Sequence, residues 1–276
     1  MADLPSFRHP PLTEAVLSIQ FATLVAFQSV HAGLLWSELR NTYPRASEQA
    51  PLVSMFETFG GVPAPHTLMV PQIQAFLSPP TPRFWFEAAD GEHLLQIQQD
   101  RIIHNWRKRD ESRQYPRYEE VRRRLHANVA RFGDFLQREG LGTLNPNQCE
   151  VTYVNIIDLP DGSDPHQHLE AVTPQWSAWS NKPGLGQLEA TTIQMRFVLH
   201  ARGRPVGRIY ANFTPSFPQS DQRPVLHLEV TARGKPEAET VPAAFEFLDM
   251  AHEAVVRTFA AVTTPELHKV WERTDA

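Results

Sequence analysis

Between residues 83 and 138 the hydrophobic period of the chain changes once, from two to about 3.6, and this change constrains the fold more than any other feature. Phe84-Trp85-Phe86, Leu94-Leu95-Gln96-Ile97-Gln98 and Ile102-Ile103-His104-Asn105-Trp106-Arg107 read as strands. Asp90-Gly91 separates the first two. Asp-Gly between apolar runs signals a hairpin, because a type I′ turn requires positive φ at both central residues. A three-stranded antiparallel meander over 83–107 is therefore expected. Val121, Leu125, Val129, Phe132 and Leu136 then step by four, four, three and four, which makes one apolar stripe on a helix over 117–138. That stripe is expected to press onto the meander. Arg117, Arg124, Arg131 and Arg138 recur every seven residues, nearly two turns, so they run down one flank beside it.

The flanking segments follow a similar order. Ala15, Leu17, Ile19 and Phe21 alternate as a half-buried strand. Val30, Leu34, Leu35 and Leu39 follow at helical spacing, with Ser29 as the expected N-cap. Leu52–Phe59 and Thr67–Leu77 read as two more strands, the second an edge or irregular one because of Pro71. Gly140 and Gly142 close the basic helix. Cys149–Ile157 is β-branched and aromatic, a strand. Residues 159–186 form a long connection with one short helix and a Trp176/Trp179 pair. Leu188–His200, Gly207–Phe213 and Val225–Ala232 are three further strands, with Gly203 at the first turn. Phe245, Leu248, Ala251, Val255, Phe259 and Val262 mark an amphipathic helix over 243–262, and Thr264-Pro265-Glu266 begins a short one over 265–272. The expected fold class is α+β: two sheet-plus-helix units with antiparallel sheets, 1–145 and 146–276, each closed by a long amphipathic helix.

Composition narrows the function classes. A single cysteine, Cys149, excludes an intramolecular disulfide and fits a reducing, cytoplasmic setting. The first ten residues hold an acid, two prolines and no apolar h-region, so no secretory signal is expected. Residues 15–37 carry no Asp, Glu, Lys or Arg, yet Ser18, Gln20, Gln28, Ser29 and His31 interrupt them, so a buried strand and helix are expected there, not a membrane span. Net charge is −5, but residues 101–140 alone carry eleven Lys/Arg against six acids. One basic stripe on an acidic protein favours anionic partners locally.

Leu94-Leu95-Gln96-Ile97-Gln98-Gln99-Asp100-Arg101, His104-Asn105-Trp106-Arg107 and Tyr115-Pro116-Arg117-Tyr118-Glu119 form a recurring signature, with Pro11-Leu12-Thr13-Glu14-Ala15 before it and Val151-Thr152-Tyr153-Val154-Asn155 after. In these residues the chain resembles a sporadically distributed bacterial family of uncharacterised function. The resemblance spans most of the chain. It implies a cytoplasmic, single-family protein with no appended catalytic domain, carries no functional residues across, and hints at mobile-element or defence-type systems by distribution alone.

Three constellations carry possible chemistry. Arg101, Arg107, Lys108, Arg109 and the helix residues Arg117, Arg124 and Arg131 can hold phosphates, with Trp106, Tyr115 and Tyr118 available for stacking. The alternative is a solvated face paired to Glu119, Glu120 and Asp134. Asn105, Arg107 and Arg117 can form an anion or peptide-carboxylate pocket where strand meets helix, against a structural network with Arg107 paired to Glu119. On the third strand, Asn105 and Arg107 share one face, and His104 and Trp106 the other. The loop 158–170 places His166 and His168 among carboxylates, a weak metal-ligand pattern without zinc-type spacing. Cys149, with no cationic neighbour in sequence, reads as a small core residue. The leading expectation is a non-enzymatic binding or protein-interaction module acting through Arg101, Asn105, Trp106, Arg107, Arg117, Arg124 and Arg131, with no cofactor, no membrane and another protein as partner. The second is an enzyme acting on an anionic substrate through His104, Arg107, Arg117 and the 158–170 loop. The third is single-stranded nucleic-acid binding on the basic flank.

Overall fold

Nine strands pair into one antiparallel sheet in the computed structural model, which describes residues 3–59, 81–110, 113–159, 162–176, 191–217 and 224–275. They are β1 (Leu12–Phe21), β2 (Arg45–Gln49), β3 (Arg83–Glu87), β4 (His93–Gln98), β5 (Arg101–Arg107), β6 (Pro146–Ile157), β7 (Ile193–Ala201), β8 (Arg204–Ser216) and β9 (Val225–Gly234). The helices are α1 (Ser29–Leu39), α2 (Tyr118–Arg138), α3 (Leu169–Val172), α4 (Val241–Val262) and α5 (Pro265–Val270). Across the sheet the order is β2-β3-β4-β5-β1-β6-β9-β8-β7. The class is mixed α+β. The strands expected in two sheets form one, because β1 and β6 pair antiparallel at its middle, Ala15 opposite Tyr153 and Leu17 opposite Val151.

Register decides which face is the core. Ala15, Leu17 and Ile19 stand opposite Trp106, His104 and Ile102 of β5, and opposite Tyr153, Val151 and Cys149 of β6. Side chains in register point to the same side of a sheet. Both long helices cover that side. Phe132 of α2 packs on Phe21 and Asn128 reaches His104, while His252 of α4 bonds Tyr153. The expected stripe Val121, Leu125, Val129, Phe132 and Leu136 is buried against β5 and β1, and α4 lies on β6, β9 and β8. Each such side chain stabilises the fold by about 1.5–3 kcal/mol. Cys149 is buried in this layer, and burial pushes its thiol pKa up.

The opposite face is polar and hydrogen-bonded to itself. Trp85 Nε1 donates to Gln96 Oε1 (3.0 Å), Gln96 Nε2 to Asn105 Oδ1 (2.7 Å), and Asn105 Nδ2 to Glu14 Oε1 (2.6 Å). The ladder crosses β3, β4, β5 and β1 and ends on a carboxylate, so each bond polarises the next. Residues 50–59 run across this face as a strap. Its backbone meets Gln98 and Gln20 side chains, and Glu57 reaches Arg208 and Tyr210 on β8.

Several local expectations are corrected. Leu52–Phe59 is not a strand, because its backbone finds side-chain partners instead of a ladder; the edge strand before β3 is the polar segment Arg45–Gln49. Ser29 is the first residue of α1, and Gln28 is the cap, sharing a capping box with His31. At Asp90-Gly91 only Gly91 has positive φ (73°), and Gly91 N donates to the Ala88 carbonyl, so the connection is wider than a two-residue type I′ turn. Arg107 pairs with Glu87, not Glu119. Thr67–Leu77 and Trp179 lie outside the described residues.

Candidate functional site

The structure separates the residues that the sequence groups at the meander–helix junction. Arg101, Asn105 and Arg107 lie on the polar face of the sheet, away from α2. Arg101 chelates Asp100 through Nε (3.0 Å) and Nη2 (2.9 Å), and Arg107 is held by Glu87 and the Gly91 carbonyl. Trp106 and His104 lie on the other face and are buried. His104 stacks on His93 and meets Asn128. Arg124 pairs with Glu120 across one helical turn at 2.7 Å, and Arg131 is exposed. Asn105→Ala would leave both Gln96 and Glu14 without their partner. It is expected to lower the unfolding free energy by about 2 kcal/mol, measurable by urea titration.

Arg117 is the exception, because it stands at the mouth of a cavity of about 290 Å³ between α2, α4 and the sheet. Its backbone is at φ 74°, ψ 160°, a region occupied almost only by glycine. Pro116 precedes it and α2 begins after it, so this one residue makes the turn from the β5 connection into the helix. Its Nη1 donates to the Phe7 carbonyl at 3.1 Å. Phe7 belongs to an N-terminal arm that roofs the cavity. The arm is pinned to the C-terminal segment: Arg8 N donates to the Glu272 carbonyl, His9 N to that of Trp271, and Thr274 N to that of Ser6. The Phe7 ring packs edge-on against Phe259 and Trp271.

The floor comes from the middle of the sheet. Leu12 pairs with Asn155 and Glu14 with Val154, so one extra residue, Thr13, is inserted in β1. Such a bulge shifts the parity of a strand. It turns Leu12 toward the helices, out of phase with the alternation from Ala15 onward, and Leu12 lines the cavity beside Tyr153 and Asn155.

The polar groups form two linked clusters. Tyr115 and Tyr153 hydroxyls are 2.7 Å apart, and the Tyr153 hydroxyl is 2.9 Å from His252 Nδ1. Tyr118 stacks flat on the His252 imidazole, with centroids 3.9 Å apart and planes within 1°. Its hydroxyl donates to Asp249 Oδ1 (2.7 Å), and Arg122 grips the same carboxylate with Nε (2.6 Å) and Nη2 (2.9 Å). Burial pushes the Tyr115, Tyr118 and Tyr153 phenols up, and for Tyr118 Asp249 adds to that. Burial also lowers His252 to about 4, against the pull of Glu119 and Asp249. At neutral pH the lining is therefore hydroxyls, a neutral imidazole and the Asn155 amide, with Arg117 and Glu119 as charged groups of the lining. Asn155 Nδ2 donates to the Leu228 carbonyl (3.2 Å), so its oxygen is the group available to a ligand.

Sequence reasoning named Tyr115, Arg117 and Tyr118, and missed His252, Asp249 and the arm. His252 follows Ala251 on the apolar stripe of α4, and a histidine at the edge of such a stripe was the available signal. His166 is buried with Nε2 2.9 Å from the Val225 carbonyl, and His168 is exposed beside Glu170. Among the described residues no group of three His, Cys, Asp or Glu is placed to hold a metal. Among them, too, no helix is long and apolar enough to cross a membrane. In comparisons with known proteins, no family model matches the chain and no curated protein matches it.

Proposed function

We propose that the protein is a non-enzymatic binding module whose ligand sits in the cavity beneath the N-terminal arm. The carrying observation is convergence: Leu12 of β1, Tyr115, Arg117, Tyr118 and Glu119 before and in α2, Tyr153 and Asn155 of β6, and His252 of α4 meet there from distant parts of the chain. Apolar walls with a few convergent polar groups are the usual make-up of a small-molecule site, and the volume is at the small end of that class. A strained, non-glycine backbone at its mouth supports the same reading, since such strain concentrates at ligand clamps. The phenols and imidazole favour orientation of a ligand through hydrogen bonds over acid–base chemistry near neutrality, because their pKa values are moved away from it. The two halves, 1–145 and 146–276, are read as related units joined through their first strands, with the cavity at the seam. A reducing, cytoplasmic setting fits the one buried thiol.

The test is a cavity-filling substitution. Val256 lines the site on α4. Val256→Trp is expected to abolish binding of small aromatic fragments seen with the wild type by saturation-transfer NMR, while the far-UV CD spectrum is retained. Fragments that bind both proteins equally would place the binding surface elsewhere.

A further inference from the structure

We infer that the cavity takes a neutral heteroaromatic ligand that presents both a hydrogen-bond donor and an acceptor, as a lactam or nucleobase does. This rests on the binding reading above and specifies its ligand.

Tyr115, Tyr153 and His252 form a hydrogen-bonded relay whose protons can be counted. Two hydroxyls and a neutral imidazole carry three protons in all. The contacts at 2.7 and 2.9 Å each use one. Tyr153 is buried between its two neighbours, so its proton goes to one of them. Two arrangements satisfy both contacts. In the first, Tyr115 donates to Tyr153, Tyr153 donates to Nδ1, and the remaining proton is on Nε2. In the second, Nδ1 donates to Tyr153, Tyr153 donates to Tyr115, and the remaining proton is on the Tyr115 hydroxyl. In either case the two ends of the relay, both on residues that line the cavity, offer one donor and one acceptor. The relay switches between them without gaining or losing charge.

At the relay a carboxylate or phosphate asks for donors at both ends, which requires a charged imidazole in a place where burial disfavours charge, and Arg117, the cation of the lining, is engaged by the Phe7 carbonyl. A cation asks for two acceptors and would leave a proton facing it. A ligand with one donor and one acceptor matches both arrangements. The Asn155 oxygen adds a further acceptor on β6. The walls favour a flat ring system: the aromatic residues Phe7, Phe259 and Tyr115 line the space, and the relay's own imidazole is already stacked on Tyr118.

Three probes of similar shape test this by isothermal titration calorimetry: hypoxanthine (donor and acceptor), indole (donor only) and benzoate (anion). Hypoxanthine is expected to bind tightest, and Tyr115→Phe to weaken it about tenfold with indole unchanged. Indole or benzoate binding more tightly than hypoxanthine, and lost in Val256→Trp, overturns the ligand class and leaves the binding reading standing. Equal weakening of hypoxanthine and indole by Tyr115→Phe marks a collapsed cavity and overturns the hydrogen-bonding role of the relay. If none of the three binds the wild type, both readings fall.

Discussion

Gly234→Val is expected to lower the unfolding free energy by about 3 kcal/mol or more, seen as a fall in urea midpoint at unchanged m-value. Gly234 ends β9 opposite Gly207 of β8 and Cys149 of β6. A Cβ at Gly234 would stand 2.2 Å from the Val206 carbonyl oxygen, 2.6 Å from Gly207 Cα and 2.7 Å from Phe247 Cζ. The first two are backbone atoms of the paired strand and cannot rotate aside. The third belongs to α4, so the missing side chain is also what lets the helix settle on the sheet. A Cβ at Gly207 meets the same obstacle from the other strand, 2.5 Å from the Arg233 carbonyl oxygen. Adding Phe247→Ala to Gly234→Val should therefore recover little, because it relieves the ring contact and not the backbone one. An unchanged midpoint in the single variant, or full recovery in the double, would show that the strands do not approach this closely.

That contact also shows why parts of the fold could be read from the sequence and others could not. The period-two runs over 83–107 and the stripe from Val121 to Leu136 are local patterns, and both elements stand where the patterns put them. Alternation even contained the correction to the site: it places Asn105 and Arg107 on the face opposite His104 and Trp106. With α2 on the side of Trp106, an anion pocket joining Asn105 and Arg107 to the helix arginines is blocked by the sheet itself. The edge strand Arg45–Gln49 has no alternation to detect, since most of its residues face water. Leu52–Phe59 has the composition of a strand, but Gln98 and Gln20 satisfy its backbone from side chains, a choice no local propensity encodes. The pairing of β1 with β6 spans over a hundred residues of intervening chain. It brings Tyr153, which α4 already covers with His252, beside Tyr115, so the Tyr115-Pro116-Arg117-Tyr118 run was visible as unusual while the cavity it lines was not. The bulge at Thr13 hid Leu12 in the same way, by breaking the parity that sequence reasoning relies on.

Acidification from pH 7 to pH 5.5 is expected to destabilise the protein through its buried histidines, above the range in which carboxylates titrate. His93 Nδ1 and His104 Nε2 are 3.2 Å apart, with the rings stacked, and Asn128 links His104 to the Tyr43 hydroxyl. Burial keeps both imidazoles neutral, and one then donates to the other. Burial lowers His93 to about 4, with Arg124 adding to the shift against the weaker pull of Asp90 and Glu120, and it lowers His104 further, helped by His93. The unfolded chain titrates these groups near 6.5 and therefore binds more protons below that pH than the folded one does. Stability is full above about 6.5 and falls as pH drops toward 4, by about 3 kcal/mol for His93 alone. His252 and His268 are shifted the same way. The carboxylates act in a lower window: Glu120 and Asp275 are held near about 2 by their arginine partners, so their contribution is full above the ordinary carboxylate range and is lost as pH falls through that range toward 2. Urea midpoints measured between pH 8 and pH 5.5 isolate the histidines. His93→Gln should be less stable than wild type at pH 8, where the imidazole contact is intact, and should show a shallower decline across the window. A decline as steep in His93→Gln as in wild type would mean that the pair is not the acid-sensitive element.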